Sequence, residues 1–191
     1  MELQKINVKL FVENPDSVSL TDFIDIFHGW IQATDGDYHD VADYSHLTAG
    51  PGVILVAREA NISIDESDNR RGLLYSQKSF LDGSNQIKLR WVLRSTLENF
   101  RKLEREPKLG GKLKLLGNEV LIAINDRLLA PNNDESFAVV ATEVEPLARN
   151  LFGDAEFILE REPEKRRIFA LRIRASRSLT VDELLNRLNN N

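Results

Sequence analysis

At 191 residues, with 42% hydrophobic and 29% charged residues, the chain is long enough to bury one sizeable core and too apolar for a disordered polypeptide. It contains no cysteine, which excludes disulfides, thiolate metal sites and cysteine nucleophiles, and no apolar run exceeds five residues, as in Val53-Ile54-Leu55-Val56-Ala57, far short of a membrane span. The net charge of −5 disfavours a general nucleic-acid binder, because phosphate contacts need concentrated lysine and arginine.

The first half begins with alternation. Ile6, Val8, Leu10 and Val12 against Asn7 and Lys9 predict a strand over residues 6–12, closed by Asn14-Pro15-Asp16. Leu20, Phe23, Ile24, Phe27, Trp30 and Ile31 then fall on one face of a helix over 20–34. Residues 35–52 show no sustained period, although 41–44 suit a short edge strand. A strong strand is predicted over 53–64, turn residues over 65–69, and a hairpin partner over 72–78. Gly83-Ser84-Asn85 caps the longest helix, 86–106, whose buried stripe reads Leu89, Val92, Leu93, Thr96, Leu97, Phe100 and Leu103, with Lys88 on its solvated side.

In the second half, 112–116 and then Val120, Ile122 and Ile124 predict strand, followed by an Asn/Pro/Asp-rich loop and a helix over 134–152. Pro146 is expected to kink or restart that helix. Residues 156–161 and 167–174 predict a second hairpin, with Arg172 and Arg174 on its solvent face. Thr180-Val181-Asp182-Glu183 is a capping box opening a short amphipathic tail. Its stripe of Val181, Leu184, Leu185 and Leu188 must dock on this domain or on a second copy, which would make a homodimer through the C-terminal helix.

The halves match in element order: strand, helix, hairpin. The expected fold class is therefore α+β, with tandem duplicated β-α-β-β units over 6–78 and 119–174 joined by a linking helix over 83–106. An antiparallel-rich sheet would carry helices on one face. The domain expected is a single unit over 1–176, with 177–191 as its C-terminal helix. This element order resembles the effector-binding domains of the gyrase-inhibitor and SOUL type, in which the module is doubled. The resemblance implies a small-molecule pocket in the groove between the two units; it carries no residue motif and assigns no site residues.

The halves differ most at 35–52, the segment that the second half lacks. It concentrates Tyr38, His39, Asp40, Asp43, Tyr44 and His46, and all three histidines of the chain fall within 28–46. Their spacing fits no metal signature: the twelfth position from Asp35 is His46, where a calcium loop needs glutamate. No metal and no cofactor are expected. The candidate ligand-binding residues are His28, Asp43, Tyr44, His46, Tyr75 and Lys78, with Tyr44 largely buried and His46 facing a cleft shared with His28 or Tyr75. The expectation is a soluble cytoplasmic, non-enzymatic binding module for a small molecule or a protein partner. The alternatives are a structural or assembly scaffold, or an enzyme that uses the 35–52 loop with His46 as an oriented base.

Overall fold

A computed structural model describes residues 1–189. In chain order the elements are β1 (Ile6–Val12), α1 (Leu20–Ala33), β2 (Tyr38–Tyr44), β3 (Gly52–Ala57), β4 (Ala60–Asp65), β5 (Gly72–Gln77), α2 (Asn85–Glu104), β6 (Leu115–Ile124), α3 (Asp134–Phe152), β7 (Phe157–Arg161), β8 (Phe169–Ala175) and α4 (Val181–Asn189). The fold class is α+β. One antiparallel sheet of eight strands runs β2-β3-β4-β5-β1-β6-β8-β7, and the helices pack on one of its faces.

Alternation decides which face is covered. Ile6, Val8 and Leu10 of β1, Val120, Ile122 and Ile124 of β6, and Leu171 and Ile173 of β8 point to the helices and are fully or almost fully buried. α2 lies over the centre, on β1 and β5; α1 covers β2 and β3, and α3 covers β7 and β8. The stripe of α2 is buried as its spacing predicts, and Ser84 caps the helix by accepting from Ile87 N at 3.4 Å. Lys88 is also buried, where the sequence suggested solvent, because its ammonium reaches Glu2 at 2.8 Å.

Three boundaries differ from the sequence expectation. The strand expected over 53–64 is two strands, turned at Arg58-Glu59, the charged pair that interrupts the apolar run. The 35–52 segment contains a seven-residue strand: β2 pairs antiparallel with β3, from Tyr38 against Ala57 to Tyr44 against Gly52, and forms one edge of the sheet. α3 is a single continuous helix with Pro146 inside it, not restarted there.

The capping box forms at α4, with Thr180 N donating to Glu183 Oε2 at 2.7 Å and Glu183 N donating to Thr180 Oγ1 at 3.3 Å. Val181, Leu184, Leu185 and Leu188 are buried against α2 and α3 of the same chain. The stripe that motivated a homodimer is thus used internally. Residues 190 and 191 of the expected tail lie outside the described residues.

About the central β1–β6 pair the order reads β4-β5-β1 on one side and β6-β8-β7 on the other. The first half also carries β2 and β3, without counterparts in the second. Duplication remains an expectation from pattern. No helix among the described residues is long and apolar enough to cross a membrane.

Candidate functional site

The face of the sheet opposite the helices is not a plain solvated surface. Strand register places its side chains in rows. One row runs Ser76, Asn7, Ala123, Ala170 across β5, β1, β6 and β8; the next runs Leu74, Lys9, Leu121, Arg172. Beyond them lie Gly72 and Phe11, then Glu119 opposite Arg174. Apolar side chains therefore stand on what alternation marks as the polar side of three adjacent strands. Phe11, Ala123 and Ala170 are buried, so something covers this face too.

Two loops supply that cover. The β4–β5 connection contains a short 3-10 turn, Ser67–Asn69, and the β7–β8 connection carries Glu162 and Arg167. Arg167 bonds Asp68 through two nitrogens, at 2.7 and 3.1 Å, and so ties one loop to the other. Between the loops and the sheet lies a cavity of about 160 Å³. Phe11, Leu74, Leu121, Ala123 and Ala170 give it apolar walls; Asn7, Lys9, Asp65, Arg167 and Arg172 give it polar ones.

The deepest polar group is an ion pair. Lys9 is 4% exposed and Asp65 3%, and the Lys9 ammonium donates to Asp65 Oδ2. Asp65 is completed by Ser67, whose hydroxyl donates to Oδ1 at 2.8 Å and whose N–H donates to Oδ2 at 3.2 Å. Burial pushes the Lys9 ammonium below its ordinary value, an effect opposed by the charge and hydrogen bond of Asp65. Gly72 sits between the two strands and makes the crossing possible. A Cβ there would lie 2.4 Å from the Leu10 carbonyl oxygen and 2.9 Å from Cε of Lys9.

A second cluster borders the cavity. Glu119, 7% exposed, accepts from Arg70 at 2.6 and 3.0 Å and from Arg172 at 2.9 Å, with Arg174 Nε 3.8 Å away. Burial alone would raise the Glu119 carboxyl, but the hydrogen bond and charge of Arg70, with Arg172 and Arg174, outweigh it and hold the carboxyl below the glutamate range. Arg70 also stacks its guanidinium 4.0 Å from the Phe11 ring centroid. Arg172 and Arg174 are thus anchored to a carboxylate rather than simply solvated.

None of the six residues singled out from sequence lines this cavity. His28 is exposed on α1, and His46 is exposed in the loop after β2. Asp43 and Tyr44 close β2; Asp43 accepts from Ser45 N at 2.8 Å, an ordinary turn contact. Tyr44 was expected to be buried and is 40% exposed, because β2 is an edge strand and Tyr44 lies at its end. Tyr75 lies on the helix-facing side of β5, its ring 6.3 Å from that of Trp91, and burial pushes its phenol up to about 12. Lys78 donates to the Ala57 carbonyl and fixes the β3–β4 turn. The expected cleft shared by His46 with His28 or Tyr75 is not formed, since both imidazoles face solvent and Tyr75 is under α2. Among the described residues, no group of three or more His, Asp or Glu side chains is placed to hold a metal ion.

Sequence reasoning missed Lys9, Phe11, Asp65 and Glu119. A usable signal was present: Phe11, Leu121, Ala123 and Ala170 break the polar side of β1, β6 and β8. Together they indicate a second covered surface. No protein-family model, curated protein or solved structure matches this chain. The likeness to doubled effector-binding modules therefore rests on element order alone.

Proposed function

We propose that this protein is a non-enzymatic binding module, and that its recognition site is the cavity on the open face, where it takes a small molecule. The observation that carries this reading is the combination of an apolar floor with a buried Lys9–Asp65 pair, bordered by two loops that Arg167 and Asp68 tie together. Small-molecule sites are typically concave and apolar with a few convergent polar groups. At about 160 Å³ the space suits a ligand the size of one substituted ring. The cavity crosses the β1–β6 junction between the two halves, which is where the doubled-module resemblance implied a groove. The absence of cysteine suits a cytosolic setting for such a module.

The competing readings find less support. An enzyme built on 35–52 would need His39 or His46 in a cleft, and both are exposed, as is His28 on α1. Assembly through the β2 edge would meet Asp40 and Asp43, charges of the kind that discourage strand addition.

A thermal-stability screen against a metabolite panel tests the proposal, run on the wild-type chain and on Ala170→Leu, which grows a side chain into the cavity. Compounds that raise the melting temperature of the wild type should lose that effect in the variant. Hits that stabilise both chains equally would place recognition elsewhere. A melting temperature that rises with protein concentration and ignores every compound would favour assembly.

A further inference from the structure

The donors and acceptors around the cavity are unequal, and the inequality selects a ligand. Every carboxylate there is already engaged. Asp65 holds Lys9 and Ser67, Asp68 holds Arg167 through both oxygens, and Glu162 accepts from Arg167 at 3.4 Å and from Glu164 N at 3.2 Å. Glu119, behind the wall, is shared by Arg70, Arg172 and Arg174. A cationic ligand would therefore meet only carboxylates whose charge a guanidinium or ammonium already balances.

An anion would displace nothing. Among the described residues only one nitrogen of Arg172, Nη1, is hydrogen-bonded, which leaves Nε and Nη2 of a guanidinium that lines the cavity. The side-chain amide of Asn7 lines the same space and makes no hydrogen bond among the described residues. An arginine presents planar, paired donors that match a carboxylate. The charged side chains of the lining comprise Lys9, Arg70, Arg167 and Arg172 against Asp65, Asp68 and Glu162, an excess of one positive charge. Phe11, Leu121 and Ala170 offer the rest of the ligand only apolar contact.

Resting on the binding-module reading, we propose that the ligand is a small monocarboxylic acid with a flat apolar body. Its carboxylate meets the unpaired edge of Arg172, and its body lies over Leu121, Ala123 and Ala170. Carboxylate and guanidinium remain ionised at neutral pH, so binding needs no proton transfer and no covalent step.

Isothermal titration with three probes of similar size separates the possibilities: benzoate, benzamide and benzylammonium, each added to the wild-type chain and to Ala170→Leu. Benzoate should bind the wild type at least about tenfold more tightly than benzamide, benzylammonium should not bind, and Ala170→Leu should abolish the benzoate signal. Arg172→Gln should weaken benzoate by about tenfold and leave benzamide unchanged. The wild-type comparison holds even if the arginine variant fails to fold. Equal binding of benzoate and benzamide, or a preference for benzylammonium, with either lost in Ala170→Leu, would overturn the anion assignment and leave the cavity reading standing. Benzoate bound equally by wild type and Ala170→Leu would overturn both. Benzoate that does not bind the wild type at millimolar concentration would overturn the assignment, and the metabolite panel then decides the cavity reading separately.

Discussion

Arg167 and Asp68 stand 99 positions apart, yet two hydrogen bonds of 2.7 and 3.1 Å join them across the open face of the sheet. They are the clasp between two loops that otherwise belong to separate hairpins. Asp68 adopts a left-handed backbone, φ 63°, a region that asparagine tolerates as readily as aspartate. Asp68→Asn therefore removes charge without straining the turn. The pair is about half exposed, so its loss should cost no more than about 1 kcal/mol of global stability. The loops should nevertheless open more often. Hydrogen exchange should accelerate at 66–70 and 162–168 and stay unchanged in β1 and β6; unchanged exchange in the loops would show that the clasp does not hold them.

The Lys9–Asp65 pair should behave as a buried pair rather than a surface one. Lys9→Met leaves the Asp65 carboxylate with Ser67 alone, and should cost about 3–5 kcal/mol in urea unfolding. Lys9→Met with Asp65→Asn should recover a large part of that loss, because no uncompensated charge remains. Additive losses in the double variant would show that the two side chains are not coupled.

Gly72 gives a sharper probe of the same crossing. Alanine there meets the Leu10 carbonyl oxygen at 2.4 Å, and backbone cannot yield as a side chain does. Gly72→Ala should destabilise the chain by about 1–3 kcal/mol through local overpacking. A variant as stable as wild type would mean that β1 and β5 have room to separate.

Glu119 sets a pH dependence whose sign follows from its surroundings. Its carboxyl is held below the 4.5 of an unperturbed glutamate, since Arg70, Arg172 and Arg174 outweigh the opposing effect of burial. In acid the unfolded chain therefore takes up this proton first. The stabilisation is complete above about pH 4.5 and is lost as pH falls through the depressed value of the folded state. Urea midpoints measured from neutral pH downward should decline more steeply for wild type than for Glu119→Gln. Parallel declines would assign the acid sensitivity to other carboxylates.

Much of the fold was legible because it depends on local periodicity. The stripe from Leu89 to Leu103 specifies α2, the alternation of Ile6, Val8 and Leu10 specifies β1, and Thr180 with Glu183 specifies the start of α4. The division of 53–64 into two strands was less visible, since a turn of two charged residues carries no glycine or proline. The candidate site was not legible in the same way. Lys9 and Asp65 are 56 positions apart and look like ordinary polar residues of alternating strands. Only the register of β1, β5 and β4, with Gly72 between them, turns them into a pair. Conversely, the histidines stood out by rarity and clustering, which are properties of composition. His39 is exposed on an edge strand that pairs on one side only, His46 in the loop that follows it, and His28 on the solvent side of α1.

The most direct test of the open-face cavity as the recognition site is a methyl and imidazole NMR titration of the wild-type chain with the strongest compound from the thermal screen. The account predicts shifts concentrated at the methyl groups of Leu74, Leu121, Ala123 and Ala170, with the imidazole signals of His28, His39 and His46 unmoved. Shifts concentrated at those imidazoles, with the four methyl-bearing residues of the cavity unchanged, would contradict it.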